Sequence, residues 1–234
     1  MNYTLSTSSV FPLVEVTLNK GEDIRLEAGA MVYHAGGIKL QGKMNSNGHK
    51  GIGGAMRALG RAVTSGESFF ITTAHGEADG AQIALAPSTP GAIKELTVGA
   101  EHWRLNTGAF LACEESVSYN MVRQNLSGAL FGGTGGLYVM ETSGTGALLI
   151  SAFGDLKKIE LDGSTPFTVD NQHVVAWSSS LDYKIKVASG TFGFKTGEGL
   201  VNEFTGSGTI YIQSRNLEAL AHDLTPFIDF PSQS

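Results

Sequence analysis

The stretch that decides the fold is GSGTIYIQSRN, residues 206–216. Two glycines precede Ile210 and Ile212, which alternate with Tyr211 and Gln213. Period-two alternation sends successive side chains to opposite faces, the pattern of a half-buried strand. Two earlier stretches share this form. GTGALLISAFG (144–154) places Gly146 where the last stretch has Gly208, and ADGAQIALAPS (78–88) places Gly80 there. Ile83 and Leu85, then Leu148 and Ile150, take the positions of Ile210 and Ile212. The glycines therefore read as hairpin turns and the isoleucines and leucines as core.

The residues upstream match as well. GESFFITTAHG (66–76), GGLYVMETSG (135–144) and GEGLVNEFTG (197–206) each set a glycine before a short strand. Before these come EDIRLEAGAMVYH (22–34) and EHWRLNTGAFLAC (101–113), which align Arg25-Leu26 with Arg104-Leu105 and Gly29-Ala30 with Gly108-Ala109. TPFTVDNQHVVAW (165–177) is a looser third copy, with Val169 in the leucine position. The first copy carries extra residues around His75–Gly80, which read as a longer hairpin loop. The expectation is a mainly β protein of three modules: 1–97, 98–161 and 162–234. Modules of this kind bury their faces against one another.

Composition agrees. Glycine numbers 31 of 234 residues, well above the usual ~7%, while charged residues are 16% against ~25%. With only six prolines, the mixture suits short strands and tight turns. Two segments read as helices. In 53–66, Met56, Leu59, Ala62 and Val63 fall near one face; in 215–224, Leu217, Leu220, Ala221 and Leu224 form a stripe behind Asn216 as N-cap. The start, MNYTLSTSSVFPLVEVTL, has no basic segment and no long apolar run, so it does not read as a signal peptide. No stretch has the ~18 apolar residues of a membrane span. A cytoplasmic location is the expectation.

Several stretches point to a known family: GESFFITTA, ALAPSTPGAI, Gly108 to Ala112, ISAFGDL, HVVAWSSSLDYKI and TGEGLVNEFTGSGTIYIQSRN. With these the chain resembles the altered-inheritance-of-mitochondria (mitochondrial biogenesis) family and its bacterial homologues of unknown function. The resemblance implies three tandem modules like the tryptophan RNA-binding attenuation protein, each a β-sandwich or short double-stranded β-helix. It also implies a homotrimer whose nine modules form a ring. Family members are linked to membrane organisation in mitochondria. The family motif contains no catalytic residues, so none carry over.

The chemistry-bearing residues give little to an enzyme. The six histidines show neither His-x-His nor His-Glu-x-x-His spacing, although His34 and His173 stand near equivalent turns of the repeat. No Gly-x-Ser-x-Gly elbow is present. Cys113, the single cysteine, follows Phe110-Leu111-Ala112 and reads as a buried, inert thiol. Adjacent Glu114 and Glu115 would face opposite ways on a strand and make no carboxylate pair. The glycine-rich runs lack the Gly-Lys-Ser/Thr ending or helix start that phosphate cradles use. Net charge is −6, with no repeated basic-aromatic pattern, so no specific nucleic-acid partner is expected. No cofactor or metal is expected either.

One segment stands apart. Residues 43–65 carry Lys43, Lys50, Arg57 and Arg61 and no acid, in an acidic protein. Met56, Leu59 and Val63 would share a helical face beside the row of Arg57 and Arg61. This reads either as a solvated loop or as a docking element for a protein partner or an anionic membrane surface. The leading expectation is a non-enzymatic, oligomeric scaffold or interaction protein. The alternative is a small-molecule-binding module with sites between modules or subunits.

Overall fold

The computed structural model describes residues 1–6, 10–44, 70–106, 108–123, 138–188 and 199–228. In chain order the strands are β1 (Asn2–Leu5), β2 (Val14–Leu18), β3 (Asp23–Glu27), β4 (Met31–His34), β5 (Ile38–Met44), β6 (Phe70–Gly76) and β7 (Ala81–Leu85). Then come β8 (Gly91–Val98), β9 (Trp103–Asn106), β10 (Phe110–Glu114), β11 (Val117–Arg123), β12 (Tyr138–Gly144) and β13 (Gly146–Phe153). The last are β14 (Leu156–Asp162), β15 (Phe167–Asp170), β16 (Val174–Ser178), β17 (Asp182–Val187), β18 (Leu200–Thr205) and β19 (Ser207–Gln213), followed by helix α1 (Leu217–Leu224). Among the described residues the protein is mainly β, in several open sheets and no closed barrel. The other helical expectation, at 53–66, lies outside the described residues.

The strands form four sheets: β1-β2-β7-β4, β5-β6-β3-β10-β13-β8, β11-β12-β9-β16-β19-β14 and β15-β18-β17. Every pairing between these strands is antiparallel. Three cores lie between them. Val16, Ile83 and Leu85 of the first sheet meet Ile24, Leu26, Leu111 and Leu149 of the second. Phe110, Leu148 and Ile150 of the second meet Trp103, Leu105, Met140 and Tyr211 of the third. Trp177, Ile210 and Val139 of the third meet Val169 and Phe204 of the fourth.

This layering explains why parts of the sequence look too apolar for half-buried strands. β13 sends Leu149 into one core and Leu148 and Ile150 into the next. β10 and β16 are buried along almost their whole length, because each lies in a sheet covered on both faces. Aromatic rings fill the last core, with Trp177 edge-on to Tyr183 and Phe204 at centroid distances of 5.0 and 5.7 Å.

The hairpin expectation is corrected. β6 does not pair with β7, β12 with β13, or β18 with β19; the members of each couple belong to different sheets. Their glycines turn a corner, carrying the chain from one sheet to the sheet stacked on it. Gly144 has φ 79° and Gly206 has φ 99°, a region that L side chains avoid. A Cβ on Gly144 would also collide with the Ser116 carbonyl. Alternation and glycine spacing are the same for a hairpin and a corner, so sequence alone did not separate them.

Candidate functional site

A cleft of about 230 Å³ opens where the second, third and fourth sheets come together. Its wall includes Glu27 at the end of β3, Asn106 at the end of β9, Ser151 of β13, Gln172 before β16, Asn202 of β18 and Gln213 of β19. Most of these polar groups hold backbone in place. Asn106 Nδ2 donates to the Asn171 carbonyl at 3.0 Å and to the Val174 carbonyl at 2.9 Å, fixing the turn that enters β16. Gln213 Oε1 accepts from the Phe153 amide and its Nε2 donates to the Gln172 carbonyl, both at 2.9 Å. Gln172 Nε2 donates to Glu218 on α1 at 2.7 Å.

Two members stand out. Asn202 is 1% exposed, and neither its amide nitrogen nor its amide oxygen has a hydrogen-bond partner. Glu27 is partly buried, and desolvation pushes its carboxyl up to about 7, because the protein interior disfavours the charged form. Neither residue was singled out by sequence reasoning. A signal for Glu27 was present: it closes the stretch EDIRLE as Asn106 closes EHWRLN and Asp170 closes TPFTVD. The signal for Asn202 was weaker: alternation in LVNEFT puts it in phase with Leu200 and Phe204, but its polar side chain argues for solvent.

Helix α1 is anchored at its start. Asn216 Oδ1 accepts from the Ala219 amide at 2.7 Å, as an N-cap should, and Asn216 Nδ2 lies 3.0 Å from His173 Nε2. His173 Nδ1 sits 2.7 Å from the Gln213 carbonyl, so it carries the proton and Nε2 accepts. No residue of α1 is buried. Leu217, Leu220, Leu224, Phe227 and Ile228 are exposed. The other exposed large apolar residues among those described are Leu5, Val10, Phe11, Met31, Val32 and Tyr33, on the first sheet or just after β1. Both clusters lie toward the ends of the chain.

A model of the mitochondrial biogenesis AIM24 family matches residues 3–215. The chain belongs to that family. This AIM24-family chain is 50% identical over 229 residues to an uncharacterised protein of Streptococcus pyogenes serotype M6, covering 97% of this chain and 91% of that protein. It is also similar to a Streptococcus pyogenes protein solved by X-ray crystallography. That likeness has a TM-score of 0.80 and 46% identity, and covers 97% of this chain and 99% of the other. Neither relative's description names an activity or a ligand.

The basic-apolar set proposed from sequence, Lys50, Met56, Arg57, Leu59, Arg61 and Val63, lies outside the described residues. His34 and His173 are not brought together: one is on the first sheet, the other in the turn before β16. Among the described residues no three His, Cys, Asp or Glu side chains cluster as metal ligands would. Cys113 is fully buried, and desolvation pushes its thiol up to about 12, which leaves it protonated at neutral pH. Among the described residues no helix is long and apolar enough to cross a membrane.

Proposed function

We propose that this AIM24-family chain is a non-enzymatic scaffold that assembles head to tail into a homotrimeric β-ring. Its unit is a six-stranded module repeated three times: β2–β7, β8–β13 and β14–β19. Within each set the same members pair. The sixth strand lies between the first and third (β2-β7-β4, β8-β13-β10, β14-β19-β16). The fifth lies between the second and fourth (β5-β6-β3, β11-β12-β9, β17-β18-β15). A register shift falls in each third strand, at Met31/Tyr33, Phe110/Ala112 and Val174/Ala176. These parallels support the attenuation-protein-like reading of the modules.

The observation that carries the assembly is what happens between sets. The second strand of one set pairs with the third strand of the next, as β3 with β10 and β9 with β16. Among the described residues, two strands are left without that neighbour: β15, the second strand of the last set, and β4, the third strand of the first. The burial pattern agrees, since β10 and β16 are covered whereas β4 exposes all four residues. Their sheets are the first and fourth layers, with two others between them, so one chain cannot join its own edges. An exposed strand edge invites another strand, and β15 of one copy offers to β4 of the next the partner that β10 and β16 already have. Such heterologous contacts close into rings or run on as filaments. The family resemblance supports closure at three. Applied to the open edges, the internal registers Ala112↔Leu26 and Trp177↔Arg104 match Tyr33 with Val169 and His34 with Thr168.

In this reading the ring displays the segment joining β5 to β6, with Lys50, Arg57 and Arg61, in three copies, so that weak contacts with a protein partner or an anionic membrane surface add by multivalency. It needs no nucleic-acid partner. Light scattering coupled to size-exclusion chromatography tests the assembly: the expected mass is three times 24.6 kDa. A stable monomer at micromolar concentration would overturn it.

A further inference from the structure

We propose that helix α1 of one copy packs on Val10 and Phe11, just ahead of β2, in the next copy. The contact rests on the ring reading above and gives the exposed stripe of α1 its partner.

A ladder of backbone hydrogen bonds runs through the chain from set to set. The Gly91 amide donates to the Val10 carbonyl at 2.8 Å, the Gly154 amide to the Pro90 carbonyl at 2.9 Å and the Arg215 amide to the Phe153 carbonyl at 3.2 Å. The three acceptors are equivalent. Each lies six residues before Val16, Leu96 or Ile159, which face Ile83, Leu148 and Ile210 across the β2-β7, β8-β13 and β14-β19 pairs. Val10 ends the ladder in the first set, which holds the open strand β4. Arg215 ends it just past the last set, which holds the open strand β15. Joining β15 of one copy to β4 of the next brings the two ladder ends together. Helix α1 starts two residues after Arg215, and so emerges beside Val10 and Phe11 of the next copy.

The side chains at both ends suit that contact. Phe11 is 71% exposed and Val10 55%. On α1, Leu217, Leu220 and Leu224 stand at i, i+3 and i+7 on one face, and Phe227 just beyond it is 86% exposed. A helix of eight residues is marginal in water without tertiary packing. Its start is held in place, through Asn216 with His173 and Glu218 with Gln172, while its apolar stripe stays open. At ~1.5 Å per residue it is about 12 Å long, the breadth of two to three strands at ~4.8 Å spacing. Charge argues against a membrane as the occupant. Helix α1 carries Glu218 and Asp223 and no lysine or arginine, so an anionic lipid surface would repel it. The helix lies beyond residues 3–215, which the family model matches, so this clasp belongs to the chain's end rather than to the matched fold.

The test is sedimentation velocity on the full-length chain from nanomolar to micromolar concentration, with far-UV circular dichroism to check folding. Wild type should be trimeric at micromolar concentration. Leu220→Gln with Leu224→Gln, and separately Phe11→Gln, should keep the wild-type spectrum, because these side chains are exposed. Each should raise the concentration at which the trimer dissociates at least tenfold. The combined variant should be no weaker than the weaker of the two, since both break one contact. Phe11→Gln, outside every strand and helix described, decides the matter if the α1 variant loses structure. A wild type that is monomeric at micromolar concentration overturns the ring and this contact with it. A trimer weakened by neither folded variant, by only one, or by both independently overturns the contact alone and leaves the ring standing.

Discussion

Replacing Glu27 by glutamine should stabilise the protein at high pH and leave it unchanged at low pH. The folded chain holds the Glu27 proton up to about pH 7, whereas the unfolded chain releases it near 4.5. Between those values the native state binds more protons than the unfolded state, so stability falls as pH rises through the window. The cost is absent below pH 4.5 and complete above 7. Its ceiling is about 3.4 kcal/mol at ~1.36 kcal/mol per pH unit. Glu27 is only partly buried, and solvent screening reduces this to about 1–2 kcal/mol. Glutamine resembles the neutral carboxyl in size and carries no desolvation cost of a charge. Glu27→Gln should therefore gain about 1–2 kcal/mol at pH 8 and nothing at pH 4 in urea unfolding at both pH values. In a chain of this length that is a Tm rise of about 2–8 °C. An equal gain at both pH values, or a loss at pH 8, would refute the desolvation argument.

Other expectations follow from single contacts. Arg104→Ala removes a 2.7 Å ion pair to Glu141, a 3.0 Å bond to the Leu181 carbonyl and the stacking over Tyr183, so it should cost about 2–3 kcal/mol in denaturant unfolding. Cys113 should resist a thiol reagent in the folded protein and react after denaturation; rapid native labelling would contradict its burial and raised pKa. Asn216→Ala should speed amide exchange within α1 while leaving the global Tm nearly unchanged, because no α1 residue is buried; a large Tm loss would show that the helix supports the core.

What the sequence made legible was periodic. The alternation in GSGTIYIQ, GALLISAF and AQIAL marks β19, β13 and β7, and Asn216 with its leucine stripe marks α1. The family was legible from longer stretches and is borne out by the match over residues 3–215. The sheet crossing at each glycine was hidden, because pairing partners are set by long-range packing. The boundaries drawn at 97/98 and 161/162 fall inside β8 and β14, since the similar stretches used to align the copies begin after those strands. Asn202 was hidden for a different reason. Its residue type predicts solvent, and only the stacking of the third and fourth sheets buries it.

The central claim is that β4 and β15 are each other's missing neighbours on different chains. Pairing His34→Cys with Thr168→Cys tests it directly, because the internal registers, carried over to the proposed joint, would set these positions opposite each other. Under mild oxidation, denaturing electrophoresis without reductant should show covalent dimers and trimers, and reductant should return them to monomer. Neither single variant should form the trimer, and buried Cys113 should not contribute. A doubly substituted protein that stays monomeric on the gel, while light scattering still reports an oligomer, would contradict the proposed edge pairing.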